Sequence, residues 1–254
     1  MILLAIDSRG VARLTVDNQQ KLNVVGRALL DDLTRQIEKL ACDDTLRAVI
    51  LTGAGTKAFI GGADIEEMAR LDETSARAYI TRLHRACEAL RSLPFPAIAR
   101  ISGYALGAGL EIAAACDLRI ASTTARFGMP EVKVGIPSVI EAALLPALVG
   151  WGRTRRLLLA GEIHTAKEAE RWGLVDVLAP PKGLDKAVES TIESILKAGP
   201  NAIRIQKKLI RSWEDLPLSS AIEKGIDAFA EAYSTDEPRR MMRIFLNRPK
   251  RGKR

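Results

Sequence analysis

Histidine is nearly missing from this 254-residue chain, which has only His84 and His164. Neither stands near a GxSxG turn, and the two are far apart. That argues against a Ser-His-Asp hydrolase and against a histidine-ligated metal. Cysteine is as sparse. Cys42, Cys87 and Cys116 are odd in number and form no CxxC pair, which argues against a disulfide framework or a zinc site and for a reducing compartment, so a cytoplasmic protein is expected. No apolar run approaches the roughly 18–20 residues of a membrane span. The opening "MILLAIDSRG" reaches an acid at Asp7 and has no basic n-region; no signal peptide is expected, and Met1 is expected to begin the mature fold. The phosphate-cradling pattern GxxxxGK[ST] does not occur.

What remains is the composition of an ordinary water-facing globular chain, 47% hydrophobic and 27% charged. The net charge of +7 is concentrated at one end. From Arg239 to Arg254 there are eight basic residues and no acid, so the rest of the chain is close to neutral. Such a tail is usually solvated, but it can also meet phosphates.

Hydrophobic periodicity divides the chain. "ILLAID" and "VARLTVD", joined by "SRG", read as a hairpin, and "GRALLDDLTRQIEKLA" reads as an amphipathic helix. "RAVILTGAG", "AIARISG" and "LRIAS" read as buried strands, and "TSARAYITRLHRACEALRSL" as a long helix stopped by Pro94 and Pro96. After Pro137 the pattern is helical, with starts near Ser138, Arg153, Thr165, Leu184, Asn201, Ser219 and Asp236. The expectation is an α/β core over 1–195 and a helical region with a basic tail over 196–254.

Two stretches invite close backbone approach, "FIGGADIEEM" at 59–68 and "GYALGAGLE" at 103–111. Small residues ahead of a helix leave unpartnered N–H groups open to a ligand, and two aimed at one point make an oxyanion hole. Glycine turns that merely pack tightly are common, so this signal is weak alone. The acids sharpen it. Glu111 stands inside an apolar run of small residues, where a charge is rare unless paired or used. Glu131 follows in "RFGMPE". Two carboxylates beside an oxyanion hole suit proton transfer at a carbon next to a carbonyl, without metal or histidine.

At these residues the sequence resembles the crotonase (enoyl-CoA hydratase/isomerase) superfamily. "KAFIGGADIEEM" is similar to its first oxyanion segment, "GYALGAGLEIAAACDLRIAS" to its second with one catalytic glutamate, and "ARFGMPEVKVGIP" to the segment with the other. "LLLAGEIHTAKEAERWGLVDVL" and "STDEPRRMMRIFLNRPK" are similar to its later helices, so the likeness runs from about residue 2 to 250. The resemblance implies an α/β spiral of ββα units with a C-terminal α-helical trimerisation region. It places the backbone N–H groups of Ala63 and Ala108 on the thioester oxygen, and Glu111 and Glu131 on the two acid positions. Lys21, Leu22, Asp64, Ile65, Phe229 and Arg248 fall where the family contacts CoA. The implied partners are an acyl-CoA thioester and further copies of the chain, as a homotrimer or a hexamer. CoA enters as part of the substrate, and no other cofactor or metal is implied. The implied reaction is reversible hydration of a trans-2-enoyl-CoA to a 3-hydroxyacyl-CoA. The alternatives are another acyl-CoA reaction on the same site (a Δ3–Δ2 isomerase, dehydratase or lyase) or, remotely, an RNA-binding protein using the basic tail. No aromatic interleaves residues 246–254, which argues against base stacking there.

The likeness breaks in "GIPSVIEAALLP". The family continues after the second acid with a glycine-rich turn beside the acyl chain; here Ser138, Val139, Ile140 and Glu141 replace it. S-x-x-E is also the signature of a capping box, with Ser138 capping a helix and Glu141 bonding back. The other expectation is that Val139 and Ile140 narrow an acyl pocket, with Ile60 a further departure near it, and that Glu141 meets a polar substrate.

Overall fold

The computed structural model describes residues 1–247. Ten strands and eleven α-helices follow in chain order: β1 (Ile2–Ile6), β2 (Val11–Val16), α1 (Arg27–Ala41), β3 (Ala48–Gly53), β4 (Ala58–Ile60), α2 (Ile65–Met68), α3 (Glu73–Ser92), β5 (Ala97–Ile101), β6 (Tyr104–Leu106), α4 (Ala108–Ala115), β7 (Leu118–Ser122), β8 (Arg126–Gly128), α5 (Leu145–Val149), α6 (Trp151–Ala160), β9 (Ile163–Thr165), α7 (Ala166–Trp172), β10 (Val177–Ala179), α8 (Leu184–Leu196), α9 (Pro200–Trp213), α10 (Leu218–Ala232) and α11 (Glu237–Leu246). Short 3₁₀ turns cover Glu131–Val134 and Ile140–Leu144. The chain divides into two compact units, Met1–Ile192 and Glu193–Arg254, the division falling inside α8.

The first unit is built on two sheets. The larger has the order β1-β2-β3-β5-β7-β10, antiparallel only between β1 and β2. β3 is buried along its whole length, as expected of a central parallel strand covered on both faces. α1 buries Leu30, Leu33, Ile37 and Leu40 at helical spacing against this core. α3 starts on a capping box between Asp72 and Ser75 and buries Tyr79, Leu83, Ala86, Cys87 and Leu90.

The smaller sheet, β4-β6-β8-β9, positions the site. β4, β6 and β8 are parallel neighbours, with only β9 antiparallel. Their C-terminal ends therefore open on the same edge. Gly61-Gly62-Ala63 leaves β4 there, Gly107-Ala108 leaves β6, and Met129-Pro130-Glu131 leaves β8. Strands of three residues are too short to show a hydrophobic period, so β4 and β6 were hidden inside stretches that read as glycine turns.

In the second unit, Glu237 at the start of α11 accepts from the Asn201 and Ala202 N–H groups at 3.0 and 2.9 Å. It thereby satisfies two of the free donors at the start of α9.

Candidate active site

A cavity of about 180 Å³ lies at that common strand edge. Gly62, Ala63, Gly107, Ala108, Glu111 and Glu131 all stand on its wall. The parallel register thus gathers three separate sequence stretches into one place.

The two N–H groups are free for a ligand by construction. Val25 N–H donates to Gly62 O at 2.9 Å and Asp64 N–H to Val25 O at 3.1 Å. The N–H of Ala63, between those two bonds, is turned away from Val25, with no backbone acceptor among the described residues. Ala108 is the first residue of α4, so its N–H has no partner within the helix. Gly107 makes the turn that aims it, at φ 50° and ψ −120°.

Glu111 sits on a helix whose eight residues are all buried. It is 4% exposed, and its Oε1 has no hydrogen-bond partner among the described residues. Burial, reinforced by the charge of Glu131, pushes its pKa up to about 8, against the pull of nearby backbone groups at Ala142 and Val139. Glu131 is half-buried, and Ser138 Oγ donates to its Oε2 at 2.9 Å. Burial raises its pKa as well, opposed by its own backbone amide and by Ser138. Like charges facing one dry cavity resist joint ionisation, so burial and the neighbouring Glu131 carboxyl both favour the protonated form of Glu111.

This has a consequence for stability. Glu111 is a carboxyl with its folded pKa raised from 4.5 to about 8. Below about 4.5 it is protonated in both folded and unfolded chains; as pH rises towards 8, the unfolded chain ionises first and folding loses stability. Glu111→Gln removes the titration. Its melting temperature relative to wild type should rise as pH goes from about 5 to about 8. A constant difference would mean that Glu111 is already ionised in the folded protein across that range.

The "SVIE" stretch departs from its capping-box reading. Neither Ser138 nor Glu141 caps a helix: the 3₁₀ turn starts at Ile140, with Val139 at its cap position and no side-chain cap bond. Ser138 turns to Glu131 instead, and Glu141 Oε1 pairs with His84 Nδ1 at 2.9 Å. The cause is the backbone of Ile140, at φ 41°. That left-handed residue breaks the helical run a capping box needs. Val139 lies on the cavity wall, whereas Ile60, Ile140 and Glu141 do not. Glu141 is buried behind that wall, against His84.

Of the expected CoA contacts, Ile65 is exposed and stands on the cavity wall. Lys21 Nζ lies 3.0 Å from Glu66 and 3.7 Å from Asp64. Asp64 also caps α2, accepting from the Glu66 and Glu67 N–H groups. Leu22 is 40% exposed, and its carbonyl accepts from Gly61 N–H at 2.9 Å, which seats the loop on the first oxyanion turn. Phe229 is on α10 in the second unit, 69% exposed. Arg248 lies outside the described residues.

Two supporting residues, Asn23 and Tyr79, went unread in the sequence, and a third, Ser138, was read only as a helix cap. Asn23, buried and at φ 56°, donates to the Ala54 and Ala58 carbonyls, both at 2.9 Å, tying down the loop that carries Lys21. Tyr79, on the cavity wall, donates to Val25 O at 2.9 Å. Ser138 holds Glu131. Buried asparagine in a turn-rich stretch is a weak signal for Asn23; Tyr79 reads as an ordinary core position of an amphipathic helix.

Comparison with known proteins agrees with this geometry. Residues 7–252 match the family model described as enoyl-CoA hydratase/isomerase. The chain is 34% identical to the short-chain-enoyl-CoA hydratase of Clostridium acetobutylicum, over 94% of this chain and 92% of that protein. It is 35% identical to the (E)-benzylidenesuccinyl-CoA hydratase of Thauera aromatica, over 85% and 84%. The crystal structure of enoyl-CoA hydratase from Bacillus anthracis superposes with a TM-score of 0.92 at 31% identity, covering 96% of this chain and 95% of that one. With the whole length matched and the strand ends, glycine turns and two glutamates in one cavity, the chain belongs to the enoyl-CoA hydratase/isomerase family, within the crotonase superfamily.

Proposed function

We propose that the protein is an enoyl-CoA hydratase, adding water reversibly to a trans-2-enoyl-CoA to give a 3-hydroxyacyl-CoA. The observation that carries this reading is the placement of two carboxyls, Glu111 and Glu131, on one cavity wall with the Ala63 and Ala108 turns. Hydration needs one group to take a proton from water and another to give one to carbon, and such a pair does both. The thioester oxygen rests between the N–H groups of Ala63 and Ala108. Glu111 accepts a proton from water as the water oxygen bonds to C3. The C2–C3 π electrons move towards the thioester oxygen as an enolate, which the two N–H groups stabilise. Glu131 then delivers its proton to C2. The reverse reaction starts with the proton on Glu111: Glu131 removes the C2 proton and Glu111 protonates the departing hydroxyl.

The relatives' names cover both a short-chain and an aryl-bearing substrate, so the acyl group is argued from the cavity. Val139 on its wall takes up space that a glycine would leave open. Overfilling a fitted site costs about 1–3 kcal/mol, so short or branched acyl groups are the preferred substrates. The test is loss of enoyl-thioester absorbance, with product identification, across a series from about four to about sixteen carbons. A product that is a shifted double bond rather than a 3-hydroxyacyl-CoA, or a preference for the longest chains, would overturn this assignment.

We propose also that the chain works as a homotrimer or a hexamer in the cytoplasm, CoA being part of the substrate and no further cofactor being used. Leu218, Ile222, Ile226, Phe229 and Tyr233 form a stripe at helical spacing along α10, from 43% to 77% exposed. Such a contiguous apolar face marks an association surface. Light scattering should give a mass at least three times that of the 27.6 kDa chain; a monomer would refute the assembly.

A further inference from the structure

Residues 138–142 touch both halves of the catalytic pair. Ser138 Oγ donates to Glu131 Oε2 at 2.9 Å. The backbone at Val139 and Ala142 lies close enough to the Glu111 carboxyl to favour its charged form. This one segment therefore holds the Glu131 carboxyl directly and packs against α4, which carries Glu111.

The segment is also strained. Ile140 is at φ 41°, a left-handed conformation that β-branched side chains rarely adopt and glycine adopts freely. Strain of this kind persists only where the surroundings over-determine it. Two contacts flank it. Ala142 N–H donates to Val139 O at 2.9 Å, closing the turn around Ile140. On the next residue, Glu141 is 3% exposed, and its Oε1 hydrogen-bonds His84 Nδ1 on α3 at 2.9 Å. The Cys87 thiol, one turn further along α3, lies against the same carboxyl. His84 itself is about half exposed, with 48% of its side chain open. A buried carboxylate is costly to place and needs a partner; this one lies off the cavity wall, so the reaction described above does not explain it.

We propose that the His84–Glu141 pair is a positioning clamp that ties 138–142 to α3, holds Ile140 in its left-handed conformation and so keeps Ser138 on Glu131 and the 139–142 backbone on Glu111. The inference rests on the reading of Glu111 and Glu131 as the catalytic pair. His84 and Glu141 touch neither substrate nor reacting atoms; they act through the segment.

The test crosses the clamp with relief of the strain. His84→Ala, at a half-exposed position, and the isosteric Glu141→Gln are each made in the native chain and in an Ile140→Gly background. kcat and KM are measured on a short trans-2-enoyl-CoA, with melting curves to count folded enzyme. In the native background His84→Ala should lower kcat about 10- to 100-fold, the scale of a displacement of about 1 Å, with KM changed by less than about threefold. Glu141→Gln, whose amide can still hydrogen-bond Nδ1, should lose less. In the Ile140→Gly background His84→Ala should change kcat by less than about threefold, because glycine holds the conformation without help. An equal loss in both backgrounds, no loss in the native one, or a greater loss for Glu141→Gln than for His84→Ala would each overturn the clamp. Glu111→Gln assayed alongside separates the two claims. If it is fully active, the catalytic reading fails; if it is inactive while His84→Ala is fully active, the clamp alone fails.

Discussion

Glu111→Gln and Glu131→Gln should each lose roughly 10²–10⁴ in turnover, the usual worth of a general acid or base, while still binding acyl-CoA. Glutamine keeps the shape of a carboxyl but can neither take up nor release the proton. At Glu131, Ser138 still has an oxygen to donate to, so the side chain should stay in place. At Glu111, which is 4% exposed and whose pKa burial pushes up to about 8, the amide matches the neutral form that burial favours, so the fold should tolerate it. Binding therefore survives and chemistry does not. The two losses should not add, because the groups pass protons across one reaction. The measurement is kcat on the preferred enoyl-CoA, with affinity for the acyl-CoA determined separately. Near-normal turnover in either variant would refute the paired mechanism. Loss in only one would favour the isomerase alternative, which needs a single base to move a proton from one carbon to another.

Glu111 was legible because its neighbourhood is not polar, and Glu131 because its segment resembles one of the family's. A glutamate in "ALGAGLEIAAACD" has few structural explanations. The helices and long strands were legible for a similar reason: Leu30, Leu33, Ile37 and Leu40 repeat at helical spacing, and "AVIL" at the start of β3 is apolar without interruption. What escaped depends on contacts between distant residues. β4 and β6 are only three residues each, and their parallel pairing, which brings Ala63 beside Ala108, leaves no local pattern. Ser138 and Glu141 have the spacing of a capping box, but the left-handed Ile140 between them prevents it. Each side chain then found a partner elsewhere, Ser138 on Glu131 and Glu141 on His84, 57 residues earlier. A local signature states what a segment could do alone, and tertiary partners outbid it here.

Gly107→Ala should be as damaging as loss of a catalytic acid, although the residue contributes no side chain. Its backbone, at φ 50° and ψ −120°, lies in a region that is nearly glycine's alone. An added Cβ would stand 2.2 Å from Glu131 Oε1, well inside van der Waals contact. Relief can come in two ways, and both harm the site. If the Glu131 carboxyl swings away, the proton exchange at C2 is lost. If the backbone turns back towards an ordinary conformation, the peptide between Gly107 and Ala108 rotates, and the Ala108 N–H no longer points into the cavity. Losing one oxyanion donor alone costs about 10²–10³ in kcat, so a fall in kcat/KM of at least about 10² is expected. Strain of this kind costs about 1–3 kcal/mol of stability, which leaves a measurable folded population. Gly152→Ala is the control. It lies within α6, where a new Cβ meets nothing within 4 Å, and alanine should be neutral or stabilise by up to about 1 kcal/mol. The comparison is kcat/KM and melting temperature for both variants. Activity in Gly107→Ala within about threefold of wild type would mean that neither the Glu131 carboxyl nor the Ala108 N–H is used where the structure places it.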